Sequence, residues 1–230
     1  MRLRVVVYNI RGFRDGLGNV AELVAGYEPD VLLLNETGRR GQLRRLARTL
    51  GMEVAADPRA YLQRRVKNAV LARTPWRIIE HRLHRFERSE RFYPRGALMA
   101  HLGRSGFRVW ALAVHLGLSP AERRRHVQEL TDRAAGLPGA VLIGGDLNEL
   151  ADRRAAAWMG ERYWDVWLLG GDASGETFPA SDPTARIDFL FVSEGIRVER
   201  AIVAGSPLAA SASDHRPVVA ELSLPEPRAT

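Results

Sequence analysis

Residues 139–148 read Gly-Ala-Val-Leu-Ile-Gly-Gly-Asp-Leu-Asn, and this stretch contains the most specific local signal in the chain. The apolar run at 141–143 predicts a buried strand, and the two glycines after it allow the backbone to turn sharply. Asp146 and Asn148 are two residues apart and can therefore face one pocket. A carboxylate and a carboxamide together suit orienting a water and holding a phosphate oxygen. The structural alternative is a simple Asx turn.

Three other apolar strands are predicted to end on a side chain that can bind metal or handle a proton. Ligand sites in α/β sheets lie outside the carboxyl ends of strands, because loops there are free of ladder hydrogen bonds. One acidic residue after a strand is usually a turn or a helix cap, but several in one chain favour a shared site. The three are Asn9 after strand 1–8, Glu36 after Val31–Leu34, and His115 after Arg108–Val114.

A later group, Ser213-Asp214-His215, precedes the last apolar strand. Asp214 can ligate a hard cation through oxygen, and His215 can contact a scissile phosphate. His215 then needs a carboxylate on its other ring nitrogen to orient it. Asp188, in the predicted strand Arg186–Val192, is the candidate, because an aspartate within an apolar strand is costly unless it is paired.

Strands and helices alternate in both halves of the chain, which predicts an α/β fold of two packed sheets flanked by helices. No linker divides residues 1–230, so one domain is expected. One helix is predicted to begin at Asn19, and a second contains Leu43 to Leu50 and stops at Gly51. A third is predicted from the Ser119 capping box to about Leu137, and a fourth covers Asp152–Met159. Further strands are predicted at Met52–Ala55, Asn68–Ala72, Trp76–Leu83, Ala97–Leu102, Val198–Ala204 and Pro217–Leu224.

Composition excludes several classes of function. The chain has no cysteine, which rules out disulfides, thiol catalysis and cysteine-ligated zinc. Its beginning lacks the apolar stretch of a signal peptide, and no stretch approaches a membrane span. We therefore expect a soluble cytoplasmic protein, monomeric by default.

The net charge of +7 favours an anionic partner, with nucleic acid first among the candidates. Lys67 is the only lysine, so the arginine excess can equally reflect the base composition of a genome. Segment His81–Arg95 also allows two interpretations. Arginines interleaved with aromatic rings are typical of nucleic-acid contacts, whereas a solvated hairpin is the alternative. Its members are Arg82, Arg85, Arg88, Arg91, Arg95, His84, Phe86, Phe92 and Tyr93.

Eight stretches in order resemble the endonuclease/exonuclease/phosphatase superfamily, from residue 5 to about 224. They are Val7-Tyr8-Asn9-Ile10-Arg11-Gly12, Pro29-Asp30-Val31-Leu32-Leu33-Leu34-Asn35-Glu36, Asn68-Ala69-Val70-Leu71-Ala72-Arg73-Thr74-Pro75, Arg95-Gly96-Ala97-Leu98, Val114-His115-Leu116, Gly145-Asp146-Leu147-Asn148, Thr177-Phe178-Pro179 with Arg186-Ile187-Asp188, and Ser213-Asp214-His215-Arg216-Pro217. Asn35 stands where the family often has Gln, and Val114 where it often has Thr.

The resemblance implies a four-layer α/β/β/α sandwich with two mainly antiparallel sheets and the site at one edge. It also implies a Mg²⁺ cofactor, for which Mn²⁺ can substitute; Mg²⁺ characteristically takes few carboxylates plus waters. The resemblance implies that Glu36 is the main metal ligand, with Asn9 and Asp214 nearby, and that Asp146 and Asn148 position the attacking water. It also implies that His215, oriented by Asp188, acts at the phosphoryl oxygens and that His115 acts at the opposite side of the phosphate. Arg95 and Asn68 are the expected substrate contacts.

These observations predict a Mg²⁺- or Mn²⁺-dependent phosphodiesterase, with a nuclease acting on DNA or RNA as the leading hypothesis. The first alternative is a phosphatase or phosphodiesterase acting on small-molecule, lipid or sugar phosphates, which the short chain supports. Steep loss of binding with salt would favour the nuclease. A non-catalytic binding protein is a third possibility, and an inactive Asp146→Asn variant of an active parent would exclude it.

Overall fold

Two six-stranded sheets pack face to face, and helices cover the outer face of each. The computed structural model describes residues 1–58, 65–87 and 94–226. The strands are β1 (Arg2–Asn9), β2 (Val31–Asn35), β3 (Met52–Ala56), β4 (Ala69–Arg73), β5 (Arg77–Arg85), β6 (Gly96–Arg104), β7 (Phe107–His115), β8 (Ala140–Asp146), β9 (Trp164–Asp165), β10 (Asp188–Val192), β11 (Arg197–Val203) and β12 (Val218–Ser223). The helices are α1 (Leu17–Gly26), α2 (Arg40–Leu50), α3 (Pro120–Ala135), α4 (Arg154–Gly160) and α5 (Val166–Gly170).

Each sheet is built around one parallel pair of strands. The first sheet has the order β11-β12-β1-β2-β4-β3, and the second has the order β5-β6-β7-β8-β10-β9. Strands β1 and β2 run parallel, as do β7 and β8, whereas every other described neighbour pair is antiparallel. The predicted four-layer sandwich of two mainly antiparallel sheets is therefore confirmed.

The unbroken apolar runs of β1 and β2 follow from burial on both faces. Val5 and Val7 face the core between the two sheets, whereas Val6 and Tyr8 face the outer helices. Successive side chains of a strand point to opposite faces, so a strand covered on both sides must be apolar at every position. Helices α1 and α2 cover the first sheet, and α3 and α4 cover the second.

The start of α3 and the end of α2 are set by local signals that can be read from the sequence. Ser119 Oγ accepts a hydrogen bond from Glu122 N at 3.2 Å, and Glu122 Oε2 accepts one from Ser119 N at 3.1 Å, so α3 begins with the predicted capping box. Helix α2 ends at Gly51, whose φ of 63° is left-handed.

Several predicted boundaries differ from the observed ones by one or two residues. Helix α1 begins at Leu17 rather than Asn19, and the Asn19 side chain instead donates back to Asp15 O at 2.9 Å. The strand predicted from Arg186 begins at Asp188. Sequence also gave no sign of β9, of α5 or of a 3₁₀ turn at Arg11–Phe13, because elements of two to five residues are too short to show a period. Within the described residues, no helix is long and apolar enough to cross a membrane.

Candidate active site

The carboxyl ends of the two parallel strand pairs meet at one edge of the sandwich. Asn9 ends β1 and Glu36 follows β2 in the first sheet, while His115 ends β7 and Asp146 ends β8 in the second. A hydrogen bond from Asn9 Nδ2 to Asp146 Oδ2, 3.1 Å long, crosses from one sheet to the other. The predicted convergence of these four strand ends is therefore what the structure shows.

Asp146 lies at the centre of this cluster and is 2% exposed. Its Oδ1 accepts from Asn148 N at 2.8 Å, and its Oδ2 lies 3.2 Å from His115 Nε2 and 3.9 Å from His215 Nε2. Burial acts to raise the pKa of the Asp146 carboxyl, but the two imidazoles and the Asn148 N–H outweigh it and hold that pKa well below its usual range. Asp146 is therefore an ionised carboxylate surrounded by donors.

The backbone around Asp146 accounts for the residues beside it. A Cβ placed on Gly145 would lie 1.8 Å from Val114 O, so only glycine allows β7 and β8 to approach this closely. Asn148 has a left-handed φ of 52°, which turns the chain back over the carboxylate. Its side-chain amide then donates to Leu116 O at 3.0 Å and fixes the loop after β7.

His215 and Asp188 form a buried pair next to Asp146. His215 Nδ1 lies 2.7 Å from Asp188 Oδ2, and Thr177 Oγ1 donates to the same oxygen at 2.6 Å. Burial lowers the pKa of the His215 imidazolium, but the negative charges of Asp188, Asp146 and Asp214 prevail and raise that pKa to about 9. At neutral pH His215 is thus protonated, and its Nε2 proton points toward Asp146 and the site.

The sheet register explains why this pair needs a histidine. Asp188 stands directly opposite Asp146 on the neighbouring antiparallel strand. Like charges in opposed positions destabilise a sheet, and the imidazolium of His215 lies within reach of both carboxylates. Asp188 contacts His215, as the sequence predicted, although Asp188 begins its strand rather than lying within it.

His115 lies between the guanidinium group of Arg95 and the carboxylate of Asp146. Arg95 Nη1 is 2.6 Å from His115 Nε2, the same nitrogen that lies 3.2 Å from Asp146 Oδ2. Arginine can only donate, so Nε2 must be unprotonated to accept from Arg95 and protonated to donate to Asp146. A substrate phosphate that draws Arg95 to itself would leave His115 to Asp146.

Asn35 and Asn68 form the floor beneath the site. Asn35 is fully buried; its Nδ2 donates to Asn68 Oδ1 at 3.1 Å and to Val114 O at 2.8 Å, and its Oδ1 accepts from Asp146 N at 3.0 Å. Asn68 Nδ2 donates to Gly96 O and Ala113 O. Asn68 is 2% exposed and donates both of its amide N–H groups to backbone carbonyls, so it supports the site; the substrate contact predicted at this residue stays a prediction.

The predicted metal ligands supply oxygen atoms at the first-sheet side of the site. Glu36 is half-buried with a left-handed φ of 52°, and within the described residues its carboxylate forms no hydrogen bond or ion pair. Asn9 Oδ1 accepts from Arg11 N at 3.1 Å. Asp214 Oδ2 lies 3.2 Å from Arg11 Nε. Carboxylate and amide oxygens of this kind are the ligands that suit a hard divalent cation.

A second grouping of possible ligand atoms consists of Asp146, Asp188 and His215, all within 4.8 Å of one another. His215 Nδ1 and Asp188 Oδ2 already bind each other, and imidazole nitrogen is a poor partner for Mg²⁺. The Glu36 side is therefore the better place for that ion.

The sequence assigns no role to three residues that support the site, Arg11, Ser213 and Thr177. Arg11 binds Asp214 and also lies 3.5 Å from Asp15, and Ser213 Oγ donates to Asn9 O at 2.8 Å. Thr177 Oγ1 donates to Asp188 Oδ2. Each of these residues lies next to, or in the same motif as, a candidate site residue, and that neighbourhood was the only signal available.

The arginine-rich segment 81–95 does not form an aromatic stacking surface in its described part. Phe86 is buried and stacks on His126 with ring centroids 4.6 Å apart. Arg82 pairs with Glu80 at 3.0 Å, and His84 lies 2.8 Å from Glu129. Arg88, Arg91, Phe92 and Tyr93 lie outside the described residues.

Comparisons with known proteins agree with this geometry. The sequence model of the Endonuclease/Exonuclease/phosphatase family matches residues 6–215. No functionally curated protein sequence is significantly similar to the chain. An endonuclease/exonuclease/phosphatase from Bacteroides vulgatus superposes with a TM-score of 0.86 at 16% identity, covering 97% of this chain and 99% of that one.

Two further similar structures belong to proteins with a named activity or a bound ligand. A mannosyl-6-phosphatase from Bacteroides thetaiotaomicron gives a TM-score of 0.80 at 21% identity, over 96% of this chain and 100% of that one. TDP2 from D. rerio, complexed with a single-strand DNA product, gives 0.78 at 18% identity, over 96% and 99%. At these identities the likeness establishes a shared fold.

Proposed function

The chain belongs to the endonuclease/exonuclease/phosphatase family, whose members hydrolyse phosphoester bonds, and from this premise we propose a metal-dependent phosphodiesterase that cleaves nucleic acid. The observation that carries the proposal is the Asp146 cluster, in which an ionised carboxylate is held between two histidines at the same sheet edge as Glu36, whose carboxylate has no hydrogen bond or ion pair among the described residues. Phosphoryl transfer requires positioning and neutralisation of charge rather than covalent chemistry, and this cluster offers both.

Each residue has a role that follows from its contacts. Asp146, with Asn148 behind it, orients the attacking water by accepting its hydrogen bond. Because the pKa of Asp146 is low, this carboxylate is a weak base, so its main role is to position the water rather than to hold the proton that the water gives up. Protonated His215, fixed by Asp188, donates from Nε2 to a phosphoryl oxygen. His115 and Arg95 neutralise charge on the opposite side of the phosphate.

Glu36, Asn9 and Asp214 would hold the divalent cation, Mg²⁺ or Mn²⁺. When bound there, such an ion polarises the phosphoryl oxygen and neutralises charge that develops on it. Arg11 shares Asp214 with this group and keeps the carboxylate directed at the site before an ion arrives.

Nucleic acid is favoured as substrate by the net charge of +7 and by the half-buried Arg95 next to His115. Hydrolysis of small phosphoesters is the second candidate. The superposition with the mannosyl-6-phosphatase, complete over that chain, supports it because a phosphatase can have this fold at this size. Action as one catalytic domain, a monomeric state and a cytoplasmic location stay predictions from sequence.

The deciding experiment is hydrolysis with Mg²⁺ or Mn²⁺, with and without EDTA. The substrates are supercoiled plasmid, single-stranded DNA, RNA, bis-p-nitrophenyl phosphate and a panel of phosphomonoesters. We expect EDTA-sensitive cleavage of the polymers and a loss of about 1000-fold in Asp146→Asn, because a preorganised charged group at the reacting centre is removed. Asp172→Asn, at an exposed position, is the matched control and should retain full activity.

Cleavage confined to monoesters or small diesters would replace the nuclease with a metabolite phosphoesterase. If parent and Asp146→Asn were equally inert on every substrate, the chain would instead be a binding protein that has this fold.

A further inference from the structure

An arginine-lined cavity lies beside the candidate metal ligands, on the first-sheet side. Its volume is about 590 Å³. The walls come from the start of α1, the start of α2 and the segment before β4, and we call this space the arginine cavity. The side chains that line it are Leu17, Arg39, Arg40, Gln42, Arg45 and Arg65.

The arginine cavity is connected to the site by three residues of backbone. Arg39 follows Glu36 by three positions, so their Cα atoms are at most about 11 Å apart. The link is rigid: Thr37 N donates to Lys67 O at 3.0 Å, and Arg65 Nη2 donates to Gly38 O at 3.1 Å. A Cβ at Gly38 would lie 2.9 Å from Gly12 O, so this backbone packs tightly against the loop after β1.

The charge in the cavity is strongly positive. Four arginines line it, and none of its lining residues is acidic. Arg40 Nη2 donates to Asp57 O at 2.7 Å, which fixes the guanidinium at the cavity wall. Burial together with the nearby charge of Arg40 lowers the pKa of Arg65, and buried Asp57 offsets only part of this repulsion. Placing like charges close together costs free energy, and a bound anion would offset this repulsion.

The start of α2 adds to this field. Arginine has no hydrogen-bond acceptor, so the side chain at the Arg39 N-cap position cannot satisfy the first N–H groups of the helix. The positive end of the helix therefore faces the same space as the four guanidinium groups.

We propose that the arginine cavity binds a nucleotide unit of the nucleic-acid strand whose neighbouring phosphodiester lies at Asp146. The cavity is larger than a phosphate requires and lies in the range of sites for small organic ligands. Guanidinium planes stack on bases as well as binding phosphate, and Leu17 adds an apolar contact. The proposal rests on the proposed function for its substrate, but strand binding can be measured without hydrolysis.

The test is equilibrium binding of a fluorescein-labelled ten-nucleotide single strand in EDTA, over a series of KCl concentrations. The variant is R39Q/R45Q, and the control is R44Q/R48Q, which removes the same charge from exposed positions of α2 outside the cavity. We expect about tenfold weaker binding in R39Q/R45Q, with a salt slope reduced by about 1.4, since each lost phosphate contact to a single strand removes about 0.7. The control pair should change neither quantity.

Equal losses in the two double variants would overturn the proposal, because binding would then report overall charge alone. Unchanged binding in R39Q/R45Q would overturn it as well. A competition arm separates a nucleotide from a bare anion. If inorganic pyrophosphate displaced the strand from the parent as well as an unlabelled dinucleotide does, the cavity would be a general anion site and the nucleotide assignment would fail. Failure of the parent to hydrolyse any phosphoester would remove the proposed function without altering these binding results.

Discussion

The two sheets bring different chemistry to the same edge although they share one plan. In each, a central parallel pair ends at the site, and a non-glycine residue with φ of 52° follows its second strand: Glu36 after β2 and Asn148 after β8. The first sheet contributes amide and carboxylate oxygens, including that of Glu36, which has no hydrogen bond or ion pair among the described residues. The second contributes His115, Asp146 and Asp188, which are already paired: His115 with Asp146, and Asp188 with His215 from the loop before β12.

The difference separates two tasks that would interfere. An oxygen ligand needs a lone pair that is available to the cation, whereas a group that holds a proton is fixed by a partner of opposite charge. Asn35 joins the two halves, because it lies in β2 and bonds to Val114 and Asp146 of the second sheet. The predictions below test this division at the join and then on each side.

The largest effect is expected at the join. Asn35→Leu would leave Asp146 N, Val114 O and Asn68 Oδ1 without their partner in a buried place, so we expect a loss of about 3–5 kcal/mol in the free energy of unfolding. Urea unfolding followed by circular dichroism measures it. Asn19→Leu makes the same chemical change at an exposed position and should stay within about 0.5 kcal/mol of the parent. Similar losses in both would show that Asn35 does not hold the sheets together.

On the first-sheet side, Glu36→Gln removes a negative ligand and nearly preserves shape. We expect Mn²⁺ binding to weaken by about 100-fold, at least as much as removal of an outer partner of a metal ligand. Isothermal titration with Mn²⁺ measures this in the absence of substrate. Asp188→Asn, on the other side of the division, should bind Mn²⁺ nearly as the parent does. A reversed result would place the cation at the Asp146–Asp188–His215 grouping instead.

The smallest effect is expected on the second-sheet side, where Asp188→Asn keeps a hydrogen bond to His215 but removes a charge. The pKa of His215 should fall from about 9 toward its ordinary 6.5, as read by NMR titration of the metal-free protein. A raised folded-state pKa stabilises the fold fully below pH 6.5, and that stabilisation is lost as pH rises through about 9. The parent should therefore lose more stability than the variant over this range.

Matching pH dependences in parent and Asp188→Asn would show that Asp146 and Asp214, rather than Asp188, hold the proton on His215.

Much of this site could be read from the order of residues. A buried strand needs apolar side chains at every position, so the first polar residue after the run marks where the strand leaves the core. That rule located Asn9, Glu36, His115 and Asp146 at strand ends, and the capping box at Ser119 fixed the start of α3. The start of α1 was placed two residues too late, at Asn19 instead of Leu17, because glycine at the N-cap leaves no side-chain signal.

Tertiary structure alone decided which of these residues touch. The register that sets Asp188 opposite Asp146, the Asn35–Asn68 floor and the contact of Arg95 with His115 join residues 20 to 111 positions apart in sequence. The arginine cavity likewise assembles from three separate segments. Local pattern reports how a residue is buried on its own strand or helix, whereas contact between strands depends on packing of the whole sandwich. The sequence by itself therefore determined the elements and the polar residues at their ends, and the packed sheets determined their partners and charge states.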